Sequence, residues 1–255
     1  MLPKKRPSIG YLFAFLAQER NPPDPQVSLV ERVLAIPRLD LLAQFHPGPA
    51  CAGVVEELDH FVVFHTACIR NHKAGILHRD VSLNNVLVSE EKYSTWPGFL
   101  IDLDLAIREN RLQASGALQK TGTKVFMAIG ALKGPQHSFM HDLESFFWVL
   151  FWICMHYNGP NEPPTVVKEF KNWNYMSTTE LAKVKSGTIF DEASFMETVV
   201  PNITPYFEPL TRYLEKLRTV VFPNDKLWKV EDKGLYERVR EVLRKAMMDP
   251  EVRTG

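Results

Sequence analysis

The residues best suited to chemistry are His78-Arg79-Asp80-Val81-Ser82-Leu83-Asn84-Asn85, together with Asp102-Leu103-Asp104 further on. Asp80 and Asn85 stand five positions apart. Ile76 and Leu77 lead in and Val86-Leu87-Val88 lead out, which places the polar side chains on a short loop between apolar anchors. Phosphoryl transfer needs a carboxylate to orient the attacking hydroxyl, and oxygen ligands for Mg²⁺ beside a triphosphate. Asp80 suits the first role; Asn85 and Asp102 suit the second. The interval between 85 and 102 leaves room for a β-hairpin. Taken singly, Asp and Asn are ordinary turn residues, and His78 is an ordinary core side chain. The joint spacing is what points to chemistry.

Several elements must hold that loop. Val54 to Lys73 reads as an amphipathic helix, with Leu58, Phe61, Val62, His65, Cys68, Ile69 and His72 at three- and four-residue intervals. Gly75 stops it. Val86–Val88 and Phe99–Ile101 read as two short strands joined by the polar 89–98 turn region. Residues 108–120 are polar and aperiodic, as a surface loop would be. Asp142 to Met155 is apolar on every side and must be enclosed by other elements; Asp142 at its start is placed to hydrogen-bond neighbouring backbone. After a loop over 158–164, helices are expected near Val166–Phe170, Thr178–Lys185, Ser194–Thr198, Tyr206–Val220 and Leu235–Met248. Eight prolines break up residues 1–53, leaving room for short helices near Tyr11–Arg20 and Ser28–Ile36. The expected fold is mainly α with a small β-hairpin.

At 255 residues, the chain can bury one substantial core. Thirty basic residues balance thirty acidic ones, so no overall field favours nucleic acid or an anionic membrane. The longest apolar run, Phe146 to Met155, is too short to span a bilayer. Cys51, Cys68 and Cys154 form an odd set without metal-like spacing, which suits a reducing compartment. An intracellular, cytoplasmic site is therefore expected. Lys4-Lys5-Arg6 before an apolar stretch is superficially like a signal peptide, but no small-x-small cleavage site follows it. The same triplet is a weak nuclear-import pattern. His65 and His72 share a helix face but have no third ligand, and His137 and His141 are four apart with Ser138 where the zinc-protease pattern needs Glu.

Four blocks resemble the eukaryotic protein kinases, and most closely the fungal-type protein kinases. They are His78–Asn85; Gly98-Phe99-Leu100-Ile101-Asp102-Leu103-Asp104-Leu105-Ala106; Thr121–Ala128; and His141-Asp142-Leu143-Glu144-Ser145-Phe146-Phe147-Trp148. The resemblance implies a kinase large (C-terminal) lobe over 54–255 that transfers the γ-phosphate of ATP, with Mg²⁺, to Ser or Thr of a protein substrate. Asp80 would be the base and Arg79 would face the activation segment. Asn85 and Asp102 would hold metal and nucleotide. Thr123 would bond the catalytic aspartate, and Asp142 would brace the catalytic loop. Ser115 and Thr121 would be candidate phosphosites able to pair with Arg79.

Departures from the family pattern are equally specific. Asp104 replaces a glycine, in the Asp-Leu-Asp form that fungal-type kinases share. Ser82 replaces a phosphate-contacting lysine, and Gly130 replaces the glutamate that should close Ala128-Ile129-Gly130. Met248-Asp249-Pro250-Glu251-Val252-Arg253 resembles the later turn whose arginine pairs with that glutamate, so Arg253 would have lost its partner. Residues 1–53 contain no recognisable small lobe: no G-x-G occurs before Asp80, and Lys4 and Lys5 are the only lysines before Lys73. Three readings follow: a protein kinase, in a truncated form; a weak or inactive pseudokinase acting as a protein-interaction module; and a small-molecule phosphotransferase of aminoglycoside-kinase type. A regulatory protein partner or a separately supplied small lobe would complete the first.

Overall fold

The computed structural model describes residues 54–88, 98–109, 122–134, 137–159, 162, 167–228 and 230–254. The helices expected near Tyr11–Arg20 and Ser28–Ile36, Cys51, the 89–97 turn, Ser115 and Thr121 lie outside the described residues, as does most of the 158–164 loop.

The chain is mainly helical. Helix α1 (Val54–Lys73) buries Leu58, Phe61, Phe64, His65 and Cys68 along one stripe. Gly75 ends it at φ +68°, a left-handed conformation that costs glycine little. Two small antiparallel sheets follow. Strands β2 (Val86–Val88) and β3 (Gly98–Leu100) pair as the expected hairpin, with Leu87 opposite Phe99. The second sheet, β1 (Ile76–Leu77) with β4 (Ile107–Arg108), was not expected. Strands of two residues carry no periodicity to read, and Arg108 pairs with Ile76 where the polar 108–120 stretch suggests a loop.

Helix α2 (Ile129–Lys133) is short. Helix α3 (Phe139–His156) is the centre of the molecule, and within it only His141, Trp152 and His156 escape full burial. It begins three residues earlier than the apolar run suggests, because Ser138 and His141 form a capping box there. Around it pack α4 (Lys168–Lys171), α5 (Thr178–Thr188), α6 (Glu192–Val199), α7 (Thr211–Val221) and α8 (Leu235–Met248), while α9 (Pro250–Thr254) packs on α1 and α8. The expected helix near Tyr206–Val220 is split: Pro205–Leu210 forms 3₁₀ turns with Pro209 inside, and the α-helix starts at Thr211. Among Trp148, Phe151, Phe170 and Trp173 the rings meet edge to face, with Phe151 and Phe170 centroids 5.2 Å apart, except that Phe151 and Trp173 stack. Truncating one such ring to alanine typically costs about 3–5 kcal/mol. No helix among the described residues is long and apolar enough to cross a membrane.

Candidate active site

The 78–85 loop hangs on one buried carboxylate. Asp142 Oδ2 accepts the His78 backbone N–H at 2.7 Å, and Oδ1 accepts that of Arg79 at 2.9 Å. His137 Nε2 donates to the same Oδ1 at 2.8 Å, a partner the sequence did not suggest. Burial acts to raise the Asp142 pKa. The charge and hydrogen bond of His137, with the Arg79 N–H, outweigh it and hold the carboxyl below its ordinary value. Asp142 is thus not a helix cap but a cross-link between α3 and the loop, 63 and 64 residues away. Arg79 takes φ +69° as the chain turns over this anchor.

His78 is fully buried, and its ring links two segments. Nε2 lies 2.9 Å from the Ile101 carbonyl oxygen, which can only accept; the proton therefore sits on Nε2, and Nδ1 accepts the Asp80 N–H at 3.4 Å. Ile101 N–H donates to the Asn85 carbonyl at 2.9 Å. Ile101 is thereby tied to the loop from both sides, and Asp102 follows one Cα step of about 3.8 Å later. Asp102 itself is left-handed at φ 59° and ψ 67°, where the chain leaves the ladder for the 103–105 turn.

Asp80 is gripped at both oxygens. Thr123 donates to Oδ1 through its backbone N–H at 2.7 Å and its hydroxyl at 3.0 Å. Asn85 Nδ2 donates to Oδ2 at 3.1 Å and to the Asp80 carbonyl at 2.8 Å. With Nδ2 so engaged, Oδ1 is the Asn85 atom suited to a cation. Gly122 allows Thr123 its approach: at φ +114°, a Cβ there would lie 2.8 Å from the Arg79 carbonyl oxygen. Arg79 Nη1 reaches the Leu105 carbonyl at 3.5 Å, the outer limit of hydrogen bonding. The structure therefore brings Asp80, Asn85 and Thr123 into direct contact, and ties Ile101, the residue before Asp102, to Asn85 and His78. Asn85 Oδ1 and the Asp102 carboxylate are hard oxygen donors, the type that suits Mg²⁺.

Residues 56–154 match the family model described as fungal protein kinase. Over that span the chain is similar to the fungal protein kinases. No curated protein matches it.

One departure from that kinase pattern has a physical account, and two others can be located. A Cβ on Gly130 would come within 2.2 Å of His141 Nε2, so the imidazole occupies the space a glutamate would need. Ser82 is buried, and its hydroxyl has no hydrogen-bond partner among the described residues. Arg253 is exposed on α9, while Asp249 receives the Tyr213 hydroxyl, Arg212 and the Glu251 N–H. The buried arginine is instead Arg218, held by Glu215, Asp225 and the Ile189 carbonyl.

Sequence reasoning also passed over Glu144 and Lys185. Both are fully buried, on α3 and α5. Glu144 could have been flagged as a charge inside an all-apolar helix. Lys185 falls in the Leu181, Ala182, Thr188 stripe of α5, a position that is core-facing by spacing. The two histidine pairs are packed into the fold: His65 and His72 against Tyr236, and His137 against His141 with ring centroids 5.1 Å apart.

Proposed function

We propose that residues 54–255 form a protein-kinase-like large lobe that transfers the γ-phosphate of ATP to a Ser or Thr hydroxyl of a protein. The observation that carries this reading is the Asp80 carboxylate, held on one oxygen by Thr123 and on the other by Asn85. A carboxylate fixed in that way presents a defined lone pair to an incoming hydroxyl and takes its proton as the oxygen–phosphorus bond forms. Asn85 Oδ1 and Asp102 would hold Mg²⁺; bound Mg²⁺-ATP supplies the phosphoryl group, whose bond to ADP breaks. Asp142 keeps the loop in register by fixing the backbone of His78 and Arg79. Arg79 and the 105–121 region would carry regulation by phosphorylation.

Two buried thiols, Cys68 and Cys154, fit our assignment of an intracellular, cytoplasmic protein. A protein substrate and a separately supplied small lobe are the partners this reading implies; its balanced charge supports neither nucleic acid nor a membrane surface. The test is transfer of radiolabelled phosphate from ATP to a generic protein substrate. Asp80→Asn is expected to lower it by about 10²-fold or more. Transfer that persists at the original rate removes Asp80 as the base.

A second reading, a pseudokinase serving as an interaction module, is favoured by one observation. Ser82 stands where the kinase pattern has a phosphate-contacting lysine, and its side chain is buried. Each lost electrostatic stabiliser of that kind costs about 10²–10³ in rate. Thermal melting in Mg²⁺-ATP separates the two: a rise in Tm that Asp102→Ala abolishes argues against a pure scaffold.

A further inference from the structure

Beyond the Asp80 cluster, the molecule buries two opposite charges where the segment after Thr123 ends. From Thr123 the chain makes a tight turn, with Phe126 N–H on the Thr123 carbonyl at 2.9 Å and Met127 N–H on that of Lys124 at 3.2 Å. The Met127 carbonyl then accepts Lys185 Nζ at 2.8 Å. Two residues on, Ile129 N–H donates to Glu144 Oε1 at 2.7 Å. The same Oε1 accepts Trp148 Nε1 at 3.1 Å, and Lys185 Nζ sits 4.4 Å from the Trp148 ring centroid. Trp148 thus serves both charges, one at its edge and one over its face.

Burial pushes the Glu144 carboxyl up and the Lys185 ammonium well down, and each one's charge offsets part of the other's shift. A buried pair of this kind is seldom more stabilising than well-packed apolar side chains of the same volume. Its use lies in fixing one arrangement of the backbone it touches. Here that backbone is the stretch leading back to Thr123, and Gly130 lacks any side chain that could anchor it instead.

We propose that Glu144 and Lys185 are positioning residues that clamp Met127 and Ile129 and so hold Thr123 against Asp80. The proposal rests on the phosphotransfer reading for its consequence in rate, but not for its geometry. Neither side chain touches the reacting atoms.

The test is the Glu144→Gln/Lys185→Met double variant in the full chain. It removes both charges together, keeps an oxygen for Ile129 and Trp148, and deletes only the donor to Met127. Amide hydrogen exchange is the first readout: Thr123 and residues 126–129 should exchange at least 10-fold faster, with α8 unchanged. Phosphate transfer is the second: kcat should fall about 10-fold or more, with KM for ATP unaltered. An unaltered Thr123 amide in the folded double overturns the proposal. So does uniformly faster exchange, or loss of the fold, because the pair would then serve the whole lobe. If the wild type transfers no phosphate, the functional reading fails while the exchange measurement still decides the clamp.

Discussion

Asp142 shows how much depends on a single side chain at the residue scale. Its two oxygens accept from His78, Arg79 and His137; the His78 contact is buried and the other two are partly so. Asp142→Asn replaces one acceptor oxygen with an amide that faces donors. A buried N–H left unpaired costs about 1–3 kcal/mol. Urea unfolding should therefore show a loss of that size with an unchanged m-value. The carboxyl is held below its ordinary value in the folded state. Its stabilising contribution is therefore present above the unfolded carboxyl pKa of about 3.9 and lost as pH falls through the lower folded value. The variant should lack that part of the acid limb, so an identical limb in both proteins would show that Asp142 does not carry it.

Helices α2 and α3 illustrate coupling at the element scale, because Gly130 on one faces His141 on the other. The imidazole cannot simply swing away, since its Nδ1 accepts the Ser138 N–H at 3.0 Å. Gly130→Ala should destabilise by about 1–3 kcal/mol through overpacking, and His141→Ala in the same chain should remove most of that cost. A double-mutant cycle in which the two costs simply add would contradict the contact. The same elements show what was legible in advance. The ends of α1 and α8 followed from apolar spacing, and the Asp80–Asn85 and Asp80–Thr123 contacts from the motifs. The β1–β4 pair was too short to carry a pattern. The Glu144–Lys185 clamp joins residues 41 positions apart, and no local rule connects them. The absent glutamate at 130 was visible, but its reason, the ring of His141, existed only in three dimensions.

At the scale of the whole molecule, buried histidines set the response to acid. His65 is fully enclosed beside Phe146 and Tyr236, and neither ring nitrogen has a hydrogen-bond partner among the described residues. Burial, aided by the charge of Arg240, pushes its pKa down to about 3. Burial and the charge of His137 push that of His141 to about 4, against the pull of Asp142. The unfolded chain takes up a proton on each below about pH 6.5, a proton the folded chain refuses. Stability should therefore fall as pH drops from about 6.5 toward 4, by about 1.4 kcal/mol per pH unit for each such group. His65→Phe should make that slope shallower by about one group's share in urea melts across the range; an unchanged slope would exclude His65. One consequence concerns motion rather than stability. Asp142 and Glu144 lie two positions apart on α3, and so about 200° apart around its axis. One suspends the loop that carries Asp80, and the other steadies the stretch behind Thr123. A tilt of the first turns of α3 would move the Asp80 loop and the stretch behind Thr123 at once, so the two are not free to adjust separately.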